Sequence, residues 1–213
     1  MSVRYAGEIA GMPVTPRLHE LRYIPDAGAR MVATQVAVAD FEADTRPDRV
    51  ELIDGEIVAM TPSSDGSSSV AARITVFLGM HVLPNKLGRV YSADGGFVLF
   101  PDRETVRVPD VAFVRAERMP QGEARRHFPR LAPDLVVEVL SPNDRASDVL
   151  AKVAMYQEAG VPLIWLVDPE AQTVTVLATN LPPLSVSLGW SVTGARFVAR
   201  TVTVCASGST SQM

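Results

Sequence analysis

Three residue types, at positions where sheet and helix periodicity can bring them together, are equipped for hydrolytic chemistry. Glu138 lies in PDLVVEVLS, flanked by Val136, Val137, Val139 and Leu140, an apolar run of the kind that forms a strand covered on both faces. Burying an unpaired carboxylate is costly, so such a residue acquires a cation, a proton or a metal ion. Period-two alternation puts Asp134, Val136, Glu138 and Leu140 on one face. Asp110, directly after Pro109 in VRVPDVAFV, offers a second carboxylate inside an apolar strand, where proline suits an edge, an end or a bulge. Asp148, Lys152 and Tyr156 stand at i, i+4 and i+8 and make one line along a helix. Lys152 borders the apolar line of Val149 and Val153, so its stem can be buried and its ammonium delivered near Glu138. Two acids and a lysine suit metal-assisted phosphodiester hydrolysis. Hard oxygen ligands hold magnesium, the metal activates water and offsets phosphate charge, and lysine orients the nucleophile or stabilises the transition state.

The elements that must position these groups are readable from pattern. VELIDGEIVAM predicts a β-hairpin turning at Asp54-Gly55. After a Pro/Ser/Gly loop, Val70, Ile74, Phe77 and Leu78 recur at helical spacing. RVYSA, GFVLF and VRVPDVAFV read as paired strands separated by turns, with Gly95-Gly96 as a turn or bulge. The arginine-rich residues 115–130 read as a solvated linker, with a phosphate-contacting surface as the alternative. Asn143 or Asp144 can cap a helix running through Ala159, with Gly160 ending it, and LIWLVD and TVTVL then supply a buried strand and a hairpin partner. Trp165 reads as core within LIWLV, and Trp165 and Tyr156 could alternatively stack on bases. Residues 1–47 form an N-terminal extension with a possible helix at 31–41, residues 48–180 the core, and residues 181–213 weaker strands and a Ser/Gly/Thr tail expected to fray.

Composition narrows the class. The chain has 213 residues, 47% of them hydrophobic and 21% charged, with a formal net charge of −4, which fits one globular domain with extensions. No apolar run approaches the ~20 residues of a membrane helix, the N-terminus lacks the apolar stretch of a signal peptide, and the expected location is the cytoplasm. One cysteine, Cys205, excludes an internal disulfide, and three histidines make a Cys/His zinc site improbable. Phosphate-loop, HExxH and GxSxG motifs are absent.

Taken together, VELIDGEIVAMTPSS, VRVPDVAFV and the run from PDLVVEVLSPNDRASDVLAKVAMYQEAG to WLVDPE resemble the Uma-two family of restriction-endonuclease-like proteins within the PD-(D/E)xK nuclease superfamily. The resemblance spans about residues 48 to 178. It implies an α/β (α+β) fold, a mixed β-sheet flanked by helices, and a magnesium site, with manganese as a possible substitute. By position, Asp110 is the PD aspartate and Glu138 the second acid, both metal ligands. The superfamily lysine usually lies two residues beyond that acid, where this chain has Leu140. Family resemblance places it at Lys152 on the following helix, in agreement with the geometric reading. Glu56, in GEI, is the expected additional acid, with an exposed strand residue as its bland alternative. Where members often carry a histidine after the M-x-P turn, this chain has Ser67. The resemblance further implies DNA as substrate and a homodimer. Two other readings stand beside the nuclease: a catalytically inactive module binding nucleic acid or protein, and a purely internal ion-pair network.

Overall fold

The computed structural model describes residues 22–24, 30–32, 35–43, 49–179, 181, 183–189 and 198–204. The expected fraying tail, Cys205 and most of the N-terminal extension lie outside them. Two short strands, β1 (Arg22–Ile24) and β2 (Arg30–Val32), precede helix α1 (Val38–Ala43), which buries Val38 and Phe41. The helix expected over 31–41 is therefore a strand followed by a shorter helix displaced toward the C-terminus. Strands β3 (Val50–Ile53) and β4 (Glu56–Ala59) form the expected hairpin. Asp54 and Gly55 both have positive φ, 51° and 78°, the pairing that two-residue hairpin turns of type I′ require.

Helix α2 (Asp65–Val82) is capped by the Ser64 side chain, which accepts from the Ser67 N–H. It buries Val70 and Ile74 against the sheet and leaves Val76 and Met80 in solvent. Strands β5 (Gly88–Ser92), β6 (Phe97–Phe100), β7 (Thr105–Arg107) and β8 (Val111–Arg115) follow. VRVPDVAFV is thus not one strand. β7 belongs to a six-stranded sheet of order β1-β2-β4-β3-β7-β6, and β8 to a second sheet. The crossing falls at Val108-Pro109-Asp110, where proline has no N–H to continue a ladder.

Next come β9 (Leu135–Val139), helix α3 (Ala146–Glu158), β10 (Leu163–Asp168), β11 (Thr173–Ala178), β12 (Leu184–Gly189) and β13 (Val198–Val204). The second sheet runs β13-β12-β11-β10-β9-β8-β5. It is mixed: β9 and β10 are parallel, joined through α3, and the other neighbours are antiparallel. Helix α3 starts at Ala146 without a side-chain cap, because Asp144 spends its carboxylate on the Ser141 N–H at 2.7 Å. Gly160 ends it as expected, with φ 82°. Residues 115–130 form two short 3-10 turns and are largely exposed. No helix among the described residues is long and apolar enough to cross a membrane.

Between α3 and the second sheet lies a core of Phe97, Ala112, Val114, Val136, Val153, Tyr156 and Ile164. A second core under α2 joins Val70, Ile74, Val111, Val137 and Val167, with half-buried Trp165 packed against it. β9 is buried along its whole length, which accounts for its continuous apolar run. Only Glu138 interrupts that run.

Candidate active site

The pairing of Val111 with Val137 between β8 and β9 makes Asp110 the residue that comes opposite Glu138. Asp110 has left the ladder, and its Oδ2 instead accepts the Val139 N–H at 2.8 Å. On β9, Glu138 retains only 7% of its surface. Helix α3 supplies both of its partners: Lys152 Nζ donates to Oε2 at 3.2 Å, and the Tyr156 hydroxyl donates to Oε1 at 2.6 Å. The i, i+4 step between Lys152 and Tyr156 brings two donors to one carboxylate. Tyr156 is fully buried, so it supports Glu138 and cannot stack on a base.

Beside this group lies a buried ion pair that the sequence reading passed over. Glu51 on β3 accepts from Arg107 Nη1 at 2.6 Å and from the Val108 N–H at 2.9 Å. Arg107 also donates from Nε to the Met155 sulfur at 3.2 Å, tying the first sheet to α3. The signal was of the kind that marked Glu138: Arg107 interrupts the apolar TVRV, and Glu51 sits between Val50 and Leu52. Nothing in the local pattern of β3 says that Glu51 is buried, yet it keeps only 3% of its surface.

The electrostatics follow from burial and crowding. Burial pushes the Glu138 carboxyl above its ordinary range; Lys152 opposes this, and the charges of Asp110 and Glu51 reinforce it. Burial likewise raises Asp110, against the Val139 N–H and the positive charges of Lys152 and Arg49. For Lys152, burial works against the ammonium, but the fields of Glu138 and Glu51 outweigh it and its pKa is raised. The Tyr156 phenol is raised well above its usual value by burial and by Glu138, and so remains protonated as a donor.

The remaining expected residues lie elsewhere. Asp134 is at the other end of β9, where it accepts from Arg115 N, Arg115 Nε and Arg118 Nη1 at 2.7 to 2.9 Å. Sharing a face with Glu138 does not bring it into the group. Asp148 is exposed. Glu56 starts β4, half-exposed, and no hydrogen bond or ion pair connects it to Asp110 or Glu138. Ser67 is buried, and its hydroxyl bonds those of Ser64 and Ser141 at 2.8 Å, joining the start of α2 to the loop after β9.

Among the described residues, no three His, Cys, Asp or Glu side chains are grouped to hold a metal ion. A pair of carboxylates nevertheless suits magnesium, which takes one or two carboxylates and completes its octahedron with waters and phosphate oxygens. Asp110 uses one oxygen on a backbone N–H. Each oxygen of Glu138 holds one donor, and a carboxylate has about four lone-pair sites, so both residues keep acceptor capacity. The donor set is all oxygen and excludes a soft-metal site.

A mixed sheet with a parallel strand-helix-strand unit over which the helix lays a lysine and a tyrosine defines a restriction-endonuclease-like fold. Solved structures agree: the chain is similar to a putative nuclease belonging to DUF820 from Anabaena variabilis ATCC 29413, with a TM-score of 0.61 and 20% identity, over 73% of this chain and 89% of that one. Residues 37–204 match the model of the Uma2 family, described as putative restriction endonuclease, and the chain belongs to that family. That match includes α1, β12 and β13, beyond the stretch the motifs cover. A search of curated proteins yields no match.

Proposed function

We propose that this chain is a metal-dependent endonuclease that hydrolyses phosphodiester bonds in DNA, with magnesium, or manganese in its place, held by Asp110 and Glu138. The observation that carries the reading is the convergence on β9 of two crowded carboxylates with an ammonium delivered from α3. A hard cation bound there supplies Lewis acidity toward a phosphate oxygen and lowers the pKa of a water. The protein's own groups do the rest. Tyr156 holds one oxygen of Glu138 in place, so the carboxylate cannot turn into the core. Lys152, partly exposed and permanently charged at neutral pH, orients the attacking water or meets the charge that develops on the phosphate. The Glu51–Arg107 pair is a positioning device that joins β3 to β7 and, through Met155, ties them to α3. Glu56, half-exposed on the hairpin, is the auxiliary acid of this reading. The functional unit is a cytoplasmic homodimer, as the family resemblance implies, built on a core of residues 48–180 with an N-terminal extension and a divergent C-terminal segment.

The second reading, a catalytically inactive module that binds nucleic acid or protein, is favoured by one observation: both Glu138 oxygens are already engaged by side chains of α3. Calorimetric titration of magnesium and manganese into wild type and an Asp110→Ala/Glu138→Ala double variant, with plasmid nicking on the same samples, separates the two. Binding and nicking that both vanish in the folded double variant support the nuclease. Absence of both in folded wild type moves the function to the binding module.

A further inference from the structure

A cleft of about 630 Å³ opens between the β3–β4 hairpin and the first half of α2, with Asp110 in its lining. Arg49 stands in the same lining, one residue before β3. Its Nη2 donates to the Ala93 carbonyl at 2.9 Å. Ser92 pairs with Val111 across β5 and β8, so Ala93 stands across from Asp110, and the guanidinium is pinned beside the acid. A guanidinium carries five N–H donors. Its only ion-pair partner among the described residues is Asp94, 3.9 Å away and 89% exposed, a contact that solvent screens. Most of its donors therefore have no protein partner among the described residues, and the side chain lines the cleft.

The rest of the lining is matched to a flat ring. Ala59, Ala71 and Ala72 keep the walls shallow, and Met60 and Pro62 offer apolar contact. Ser63 and Ser68 line the same space, and neither hydroxyl makes a side-chain hydrogen bond among the described residues, which leaves two groups that can donate to or accept from a base edge. The volume falls in the ~300–1,000 Å³ range of sites that enclose a single small ligand. A base still paired to its complement would have to leave the stack to enter such a space, whereas an unpaired one enters without that cost.

We propose that this cleft is a subsite for one unpaired nucleotide, with Arg49 on its phosphate and the base between the hairpin and α2. The assignment rests on the nuclease reading for its placement next to the scissile phosphate. It makes single strands, or frayed and splayed ends, the substrate class ahead of intact duplex. Arg49 is a positioning residue, since it reaches the phosphate and leaves the reacting water to the groups around Glu138.

The test is fluorescence anisotropy with a labelled single-stranded oligonucleotide and the matching blunt duplex, in EDTA, across about 50 to 200 mM salt. Wild type is expected to bind the single strand more tightly. Arg49→Met is expected to weaken that binding about 10-fold and to flatten the log-affinity against log-salt slope by about 0.7, the value of one lost contact on a single strand. Arg49→Lys is expected to restore the slope. Ala72→Phe, at an exposed helix position that can take a larger side chain, is expected to weaken binding by filling the cleft while leaving the slope alone. Equal slopes in wild type and Arg49→Met overturn the proposal, as does wild-type preference for duplex. If Arg49→Met does not fold, unchanged binding by Ala72→Phe overturns it. Wild type that binds with the Arg49-dependent slope but cuts nothing with magnesium or manganese removes the nuclease reading and supports the nucleotide subsite. Wild type that binds neither strand overturns both.

Discussion

Replacing Tyr156 by phenylalanine removes one oxygen from the centre of the site and leaves the ring in place among Val136, Val153 and Ile164. The lost hydroxyl lies 2.6 Å from Glu138 Oε1, and the side chain is fully buried, so water cannot take over the bond. A hydrogen bond to a charged group contributes about 1.5 to 3 kcal/mol. A loss of about 2 kcal/mol, at roughly 2–4 °C per kcal/mol for a chain of this size, lowers the melting temperature by about 4–8 °C. The pH dependence has a definite sign. Burial already raises the folded-state pKa of Glu138, and the Tyr156 bond opposes that rise. Without the bond the pKa climbs further. A folded pKa above the unfolded one means that the group's contribution is fully present below the unfolded value, about 4.3, and is lost as pH rises through the folded value. The deficit of Tyr156→Phe is therefore smallest near pH 4 and grows toward neutrality. Thermal melts followed by circular dichroism from about pH 4 to pH 8 measure it. An unchanged melting temperature at neutral pH, or a deficit that grows on acidification, refutes the assignment of this hydroxyl as the support of an ionised Glu138.

Other perturbations separate chemistry from architecture. Lys152→Met is expected to lower the cleavage rate by about 10²–10³ while magnesium binding by calorimetry persists; retained cleavage would remove Lys152 from the mechanism. Glu51→Ala leaves Arg107 as a buried unpaired cation and strips the Val108 N–H of its acceptor, so urea denaturation should show a loss of about 3 to 5 kcal/mol. A loss under 1 kcal/mol would mean that this buried pair contributes little to holding β3 and β7 together. Asp134 sits below its usual pKa because, against the cost of burial, the Arg115 N–H and the Arg115 and Arg118 side chains favour its ionised form. Its contribution is present above its unfolded pKa and is lost as pH falls through the folded one, so Asp134→Asn should flatten the acid limb of the stability curve. Identical acid unfolding of variant and wild type would contradict that.

Much of the fold was legible because local rules decided it. The Asp54-Gly55 turn needs two positive φ values, and few residues tolerate them. β9 is buried on both faces, and its apolar run carries that burial directly into sequence. Lys152 and Tyr156 stand one helical turn apart, so their arrival at one acid follows from α3 packing over β9. The residues that misled the pattern lie where local signals compete. VRVPDVAFV alternates like a single strand, but Pro109 breaks the ladder and hands its halves to different sheets. Asp144 looks like a helix cap and is drawn instead to the Ser141 N–H. Asp134 shares a face with Glu138 yet is held at the opposite end of the strand by two arginines.

By itself the sequence determined most of the elements and marked Glu138 as a group that must find a partner, since periodicity and the cost of burying charge act along a short stretch of chain. Only the tertiary structure decided which partners those are. Glu51 and Arg107 are separated by 56 residues and meet because β3 and β7 belong to one sheet, and Arg49 reaches the backbone opposite Asp110 because the hairpin closes over the edge of the other. Alternation along a strand states which way a side chain points, and the packing of a second layer, set by the whole chain's apolar surfaces, states what it meets there.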